Sequence, residues 1–94
     1  MSTVVFGAYE WDDEKDAANV TKHGVTFEEA ATALEDARAV YVDATADGEE
    51  RVAAIGMSAK ARVLLVVVVE RGVRDRIISA RLATASEENL YAQG

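Results

Sequence analysis

Ninety-four residues, half of them apolar and none of them cysteine, describe a single domain spanning residues 1–94 with one modest core. The composition excludes disulfides, thiolate zinc sites and thiol catalysis, and a single histidine excludes a histidine-rich metal site. The net charge of −7 is unevenly spread: residues 1–50 carry three basic and thirteen acidic side chains, residues 51–81 seven basic and two acidic. The first half therefore repels polyanions and suits a basic partner, while the second suits a phosphate or a carboxylate. The plainer alternative is two oppositely charged faces that only solvate the fold. No apolar run approaches the roughly 18 residues of a membrane span, and the N-terminus lacks a signal-peptide pattern, so the expectation is a soluble cytoplasmic protein.

In chain order, Val4–Trp11 reads as a first strand. Asp12, Asp13 and Glu14 suit the first turn of a helix through its dipole. That helix runs from about Asp13 to Lys22 and stops at Gly24, with Lys22 and His23 at the end that favours positive charge. A second helix is punctuated by Thr26-Phe27-Glu28-Glu29, a capping box with Thr26 as N-cap and Glu29 at N3. Val25 is placed to staple against Ala30, and Phe27, Ala30, Ala31 and Leu34 share one apolar face. This helix ends near Glu35 or Asp36.

Residues 37–44 look like a strand, Asp47-Gly48 signals a hairpin turn, and residues 50–56 make the next strand. Met57–Lys60 turns the chain again. Val63–Val69 is an unbroken apolar run, five of its seven residues β-branched, and reads as a strand buried on both faces. Glu70–Val73 turns, and Arg74–Arg81 returns as its antiparallel partner. Thr84-Ala85-Ser86-Glu87 is a further capping box, opening a last helix through Leu90 and Tyr91. The order strand, two helices, four-stranded antiparallel meander, helix gives an α+β class with helices packed on a sheet.

The side chains able to carry chemistry are few. His23 is the one group that titrates near neutrality unperturbed; it reads as an acid–base or phosphate contact, or as a cap on a helix C-terminus. Arg51, Arg74, Arg76 and Arg81 come from two segments of one sheet, and guanidinium groups match phosphate bidentately. Strict alternation puts Arg74 and Arg76 on one face and Arg81 on the other, so Arg76 and Arg81 share a site only across a bulge or a strand end. Glu49, Glu50 and Glu70 read as structural ion-pair partners or as a base for a sugar hydroxyl. Trp11 reads as core. Tyr91 is open between packing and stacking on a base. Glycine-rich phosphate loops, nucleophile elbows and metal-ligand spacings are absent from the sequence.

Several blocks together resemble the BrnT toxins of bacterial type II toxin–antitoxin modules. They are Tyr9-Glu10-Trp11-Asp12, then Lys15 and Asn19, then residues 22–30, Lys-His-Gly-Val-Thr-Phe-Glu-Glu-Ala. Gly48-Glu49-Glu50-Arg51, Gly56, Glu70-Arg71-Gly72, Arg76-Ile77-Ile78-Ser79-Ala80-Arg81, Ala83, Glu87 and Tyr91 continue the likeness. The resemblance implies a RelE-like ribonuclease fold and RNA cleavage without metal or other cofactor, by attack of the ribose 2′-OH on the adjacent phosphate. It carries Arg51, Arg76 and Arg81 over as phosphate and transition-state contacts, His23 and Glu50 as acid–base candidates, and Tyr91 as a weaker substrate contact; Arg74, from the strand arginines, is a further substrate-binding candidate. It implies a BrnA-like antitoxin with a ribbon-helix-helix half, a possible heterotetramer with it, operator DNA met only through that antitoxin, and no membrane. The chain departs from the family pattern in its last helix, where Ala85, Ser86 and Glu88 stand in place of further basic residues. With the net charge of −7, that departure gives an alternative: a weak or inactive toxin-fold module that binds an antitoxin and assists operon repression. Residues 88–94, Glu-Asn-Leu-Tyr-Ala-Gln-Gly, also resemble a protease-cleavage tag with one residue changed; the cap before them and Tyr91 fit the family as they stand.

Overall fold

A hairpin opens the chain where the sequence predicts one strand. In the computed structural model, which describes residues 2–94, β1 (Thr3–Phe6) pairs antiparallel with β2 (Tyr9–Asp12). The break falls at Gly7, whose φ of +61° few other residues adopt. Helix α1 (Asp13–His23) follows at once, its N-terminal amides accepted by the Asp12 carboxylate and its end closed by Gly24 in the left-handed region. Helix α2 (Phe27–Leu34) starts at Thr26, whose hydroxyl accepts the Glu29 amide at 3.0 Å.

Only half of the predicted capping box at Thr26 forms, because the Glu29 side chain turns elsewhere. Its carboxylate accepts Arg62 Nε at 2.9 Å, a second contact from Arg62 Nη2, and Ser58 Oγ at 2.7 Å. Arg62 also donates to the Gly24 carbonyl at 3.2 Å. The cap gives up one reciprocal bond, and the protein gains a buried ion pair joining α2 to the turn before the long apolar strand. A buried carboxylate is tolerable when its lone pairs are satisfied in this way.

The meander forms as predicted. It consists of β3 (Val40–Asp43), β4 (Val52–Met57), β5 (Val63–Arg71) and β6 (Arg74–Leu82), each antiparallel to the next. Asp47 and Gly48, both at positive φ, make the β3–β4 turn. The sheet does not stop there. Strand β2 joins β6 in parallel through Tyr9 opposite Asp75 and Glu10 opposite Arg76, giving six strands in the order β1-β2-β6-β5-β4-β3. The α+β class stands; the sheet is mixed rather than wholly antiparallel.

One face of the sheet carries the main core. Leu64, Val66 and Val68 of β5, Ile77 and Ala80 of β6 and Ala54 of β4 pack with Phe27, Ala30, Ala31 and Leu34 of α2 and with Val25. Each large side chain so buried contributes roughly 1.5–3 kcal/mol of transfer free energy. Trp11 belongs to this core, edge-on to Phe27 with ring centres 6.2 Å apart. Helix α2 comes so close to β4 that a Cβ on Gly56 would lie 2.5 Å from the Ala33 carbonyl oxygen. On the other face, Ala53 and Ile55 are buried where α3 (Ala85–Gln93) crosses β4. At Thr84 both halves of the capping box are present. Among the described residues, no helix is long and apolar enough to cross a membrane.

The feature that most affects the site is a bulge in β6. Ser79 lies opposite Val67 and Ile77 opposite Val68, so Ile78 is the extra residue. The side-chain alternation shifts by one there. Arg76 stands opposite Val69 and Arg81 opposite Leu65, the face away from α2 in both cases. The condition under which alternation allows Arg76 and Arg81 to share a face is therefore met.

Candidate functional site

Four cations from four parts of the chain line one cleft on that face. Lys15 comes from α1, Arg51 from the end of the β3–β4 connection, Arg71 from the end of β5 and Arg76 from β6. Glu49, Glu70, Val69 and Ile78 complete the lining, around a volume of about 400 Å³. The geometry follows from elements already described. The β5–β6 register sets Arg76 opposite Val69 on this face, Arg71 lies just before the β5–β6 turn, and Arg51 immediately precedes β4.

The arginines are partly engaged. Arg76 Nε donates to Glu10 Oε2 at 3.0 Å, and its Nη2 to Thr3 Oγ1 at 3.3 Å. Arg51 Nε donates to Glu49 Oε1 at 3.1 Å, an exposed pair. Lys15 and Arg71 are exposed, and neither has an ion-pair partner among the described residues. Glu70 is likewise exposed and unpaired among the described residues. Counting Glu10 behind Arg76, four cations face three carboxylates, which leaves the cleft one positive charge in excess.

Of the residues singled out in the sequence, Arg51 and Arg76 meet in this cleft, and Glu49 and Glu70 with them. The others lie elsewhere. Arg81 shares the face, but its guanidinium is held bidentately by Glu87 at 2.8 and 3.0 Å and also donates to the Leu82 carbonyl. That bond raises the Arg81 pKa and lowers that of Glu87, which ties the first turn of α3 to β6. Arg74 donates to the Gly7 carbonyl at 3.4 Å and supports the opening hairpin. Glu50 lies on the other side of Arg51, in a hollow at the β3–β4 hairpin that Arg51 also lines, with Tyr41, Asp43 and Val52. His23 sits at the far end of α1, eight residues or roughly 12 Å from Lys15 along the helix axis. Its place is the basic last turn of the helix. Tyr91 donates to Asp36 Oδ2 at 2.6 Å. This bond raises the tyrosine's pKa and lowers that of Asp36, whose carboxylate also takes the Met57 and Arg38 amides. Tyr91 thereby fastens α3 to the loop after α2.

Lys15 and Arg71 are lining residues that the candidate list lacks. Lys15 lies in a helix read for its acidic first turn, and Arg71 in a segment read as a turn. One signal was present for each, since both fall within the blocks that carry the family resemblance.

An α+β domain with a mixed six-stranded sheet has counterparts among known proteins. Residues 11–87 match the family described as "Ribonuclease toxin, BrnT, of type II toxin-antitoxin system". The crystal structure of the Brucella abortus ribonuclease toxin BrnT superposes with a TM-score of 0.62 at 28% identity, covering 79% of this chain and 92% of that one. No curated protein matches the chain. The fold and the family match together define a ribonuclease toxin of a type II toxin–antitoxin system. Within that class, the chain belongs to the BrnT family.

Proposed function

We propose that this protein cleaves RNA at the cleft between α1, β5 and β6, with no metal ion. The scissile phosphate lies among Arg51, Arg71 and Arg76, with Lys15 closing the α1 side. The ribose 2′-OH attacks the adjacent phosphorus while its proton passes to the Glu70 carboxylate. The bond from phosphorus to the 5′-oxygen breaks, and that oxygen takes a proton from solvent, which reaches the open cleft. The products are a 2′,3′-cyclic phosphate and a free 5′-hydroxyl. Fixed guanidinium groups stabilise the charge that grows on the phosphoryl oxygens, the effect that gives such sites most of their rate. The observation that carries this reading is the convergence of four cations from four separate segments beside an unpaired carboxylate. Arg81 enters as the residue that holds α3. His23, Glu50, Arg74 and Tyr91 have no direct part in the chemistry.

The test is cleavage of RNA by purified protein, with Arg76→Ala and Glu70→Gln beside the wild type. Loss in both variants with folding retained supports the assignment. Wild-type rates in both sink it, and an inactive wild type sinks the activity itself.

A toxin of this type has an antitoxin as partner. Here the partner is a BrnA-like ribbon-helix-helix protein, joined in a heterotetramer that meets operator DNA only through the antitoxin. The thirteen acidic side chains of the first half suit a basic partner segment. A second reading, a weak toxin kept for antitoxin binding and repression, draws on the pairing of Arg51 and Arg76 with the chain's own carboxylates. Co-purification with the product of the neighbouring gene, together with the cleavage assay, separates the two.

A further inference from the structure

Beyond its pairing with β2 at Asp75 and Arg76, β6 has an open edge. Helix α1 lies along it, and one side chain takes the place of the missing strand. Asn19, 8% exposed, donates from Nδ2 to the Ala80 carbonyl at 2.8 Å and to the Val25 carbonyl at 2.9 Å. Its Oδ1 accepts the Ala80 amide at 3.2 Å. A single carboxamide thus satisfies both backbone groups of Ala80, as a neighbouring strand would, two residues beyond the bulge at Ile78.

Lys15 is four residues before Asn19, on the same helix face one turn earlier. Docking Asn19 onto Ala80 therefore brings Lys15 over the bulge, where it lines the cleft beside Ile78 and Arg76. We propose that Asn19 is a positioning residue for the cleft: it stands in for a strand at the edge of β6 and so sets Lys15 of α1 against Arg76. This rests on the reading of the cleft as an RNA phosphate site. Asn19 itself touches no substrate, and its influence passes through Lys15 and the register of β6. Asp does not replace it, because a carboxylate accepts the Ala80 amide but donates to neither carbonyl.

The experiment is a double-mutant cycle on the full chain with Asn19→Ala, Lys15→Ala and the pair. It is read as kcat/KM for RNA cleavage and as binding of a 2′-O-methyl oligoribonucleotide, which resists cleavage. Residues that act as one unit give non-additive losses. Each single variant is expected to lose about tenfold, and the pair about the same tenfold rather than a hundredfold. A core control, Leu34→Ala, lowers the melting temperature without joining the cycle, and its combination with Lys15→Ala is additive. If Asn19→Ala and Lys15→Ala multiply as independent losses while the wild type cleaves, Asn19 is structural only and the proposal falls, with the function intact. If the wild type neither cleaves RNA nor binds the oligonucleotide, the phosphate reading of the cleft falls and takes the proposal with it.

Discussion

Arg62 grips Glu29 where α2 meets the β4–β5 turn, and Arg76 grips Glu10 at the margin of the cleft. The chemical pair is the same and the surroundings are not. The Glu29 side chain is 2% exposed, and three protein donors, two from Arg62 and one from Ser58, occupy its oxygens. Glu10 receives a single guanidinium bond from Arg76 and retains contact with solvent, as does the more exposed pair of Arg51 with Glu49. The first arrangement occupies both oxygens of a buried carboxylate, although the Arg62 side chain itself remains 34% exposed. The second is exchangeable, since a phosphate offers a guanidinium the same geometry as a carboxylate. Arg62 and Arg76 thus differ in how many donors occupy the partner carboxylate and how deeply that carboxylate is buried.

The largest expected effect comes from the closed pair. Arg62→Ala leaves Glu29 buried with Ser58 alone and should lower stability by about 3–5 kcal/mol, measured by denaturant unfolding. A loss under 1 kcal/mol would abolish the distinction between the two pairs. Next is Arg76→Ala, expected to reduce kcat for RNA cleavage by about 10²–10³-fold while costing about 1.5–3 kcal/mol of stability, as loss of a part-buried hydrogen bond to a charged group does. An unfolded Arg76→Ala would move that residue to the structural side. Third is pH. The hydrogen bonds from Arg62 hold the Glu29 pKa below its usual value. Its contribution to stability is therefore complete above the ordinary glutamate pKa of about 4.3 and is lost as pH falls through the lower folded value. Melting temperatures of the wild type should drop across that acid range, and those of Glu29→Gln should drop less steeply. The smallest effect is that of Arg51→Ala. Stability stays unchanged within error, and the slope of log affinity for single-stranded RNA against log salt falls by about 0.7, one phosphate contact. An unchanged slope would remove Arg51 from the cleft's working set.

The parts of the fold legible in the sequence were those set by neighbours along the chain. Asp12, Thr26 and Thr84 cap the helices they precede, and the meander follows its turns. What escaped depends on distant partners. Glu29 abandons its predicted capping bond for a residue 33 positions away. The parallel contact of β2 with β6 has no local signature. The bulge is hidden because Ile77, Ile78 and Ala80 are all apolar, so burial of either isoleucine fits the pattern; the pairing with β5 decides it. The same holds for the cleft. Arg51 and Arg76 stand out as strand arginines, whereas Lys15 joins them only because a helix lies along an unpaired strand edge.

The parallel pairing of β2 with β6 also bears on when, during synthesis, the cleft becomes complete. Glu10 and Arg76 are adjacent in space but lie 66 positions apart, and Asn19 waits 61 positions for Ala80. Translation at roughly 5–20 residues per second lets the early hairpin and both leading helices emerge first. Until the last strand follows, those segments hold one of the four cleft cations and present an acidic surface. On the proposed reading of the cleft, the site is therefore incomplete for most of the chain's synthesis and assembles only in its closing moments.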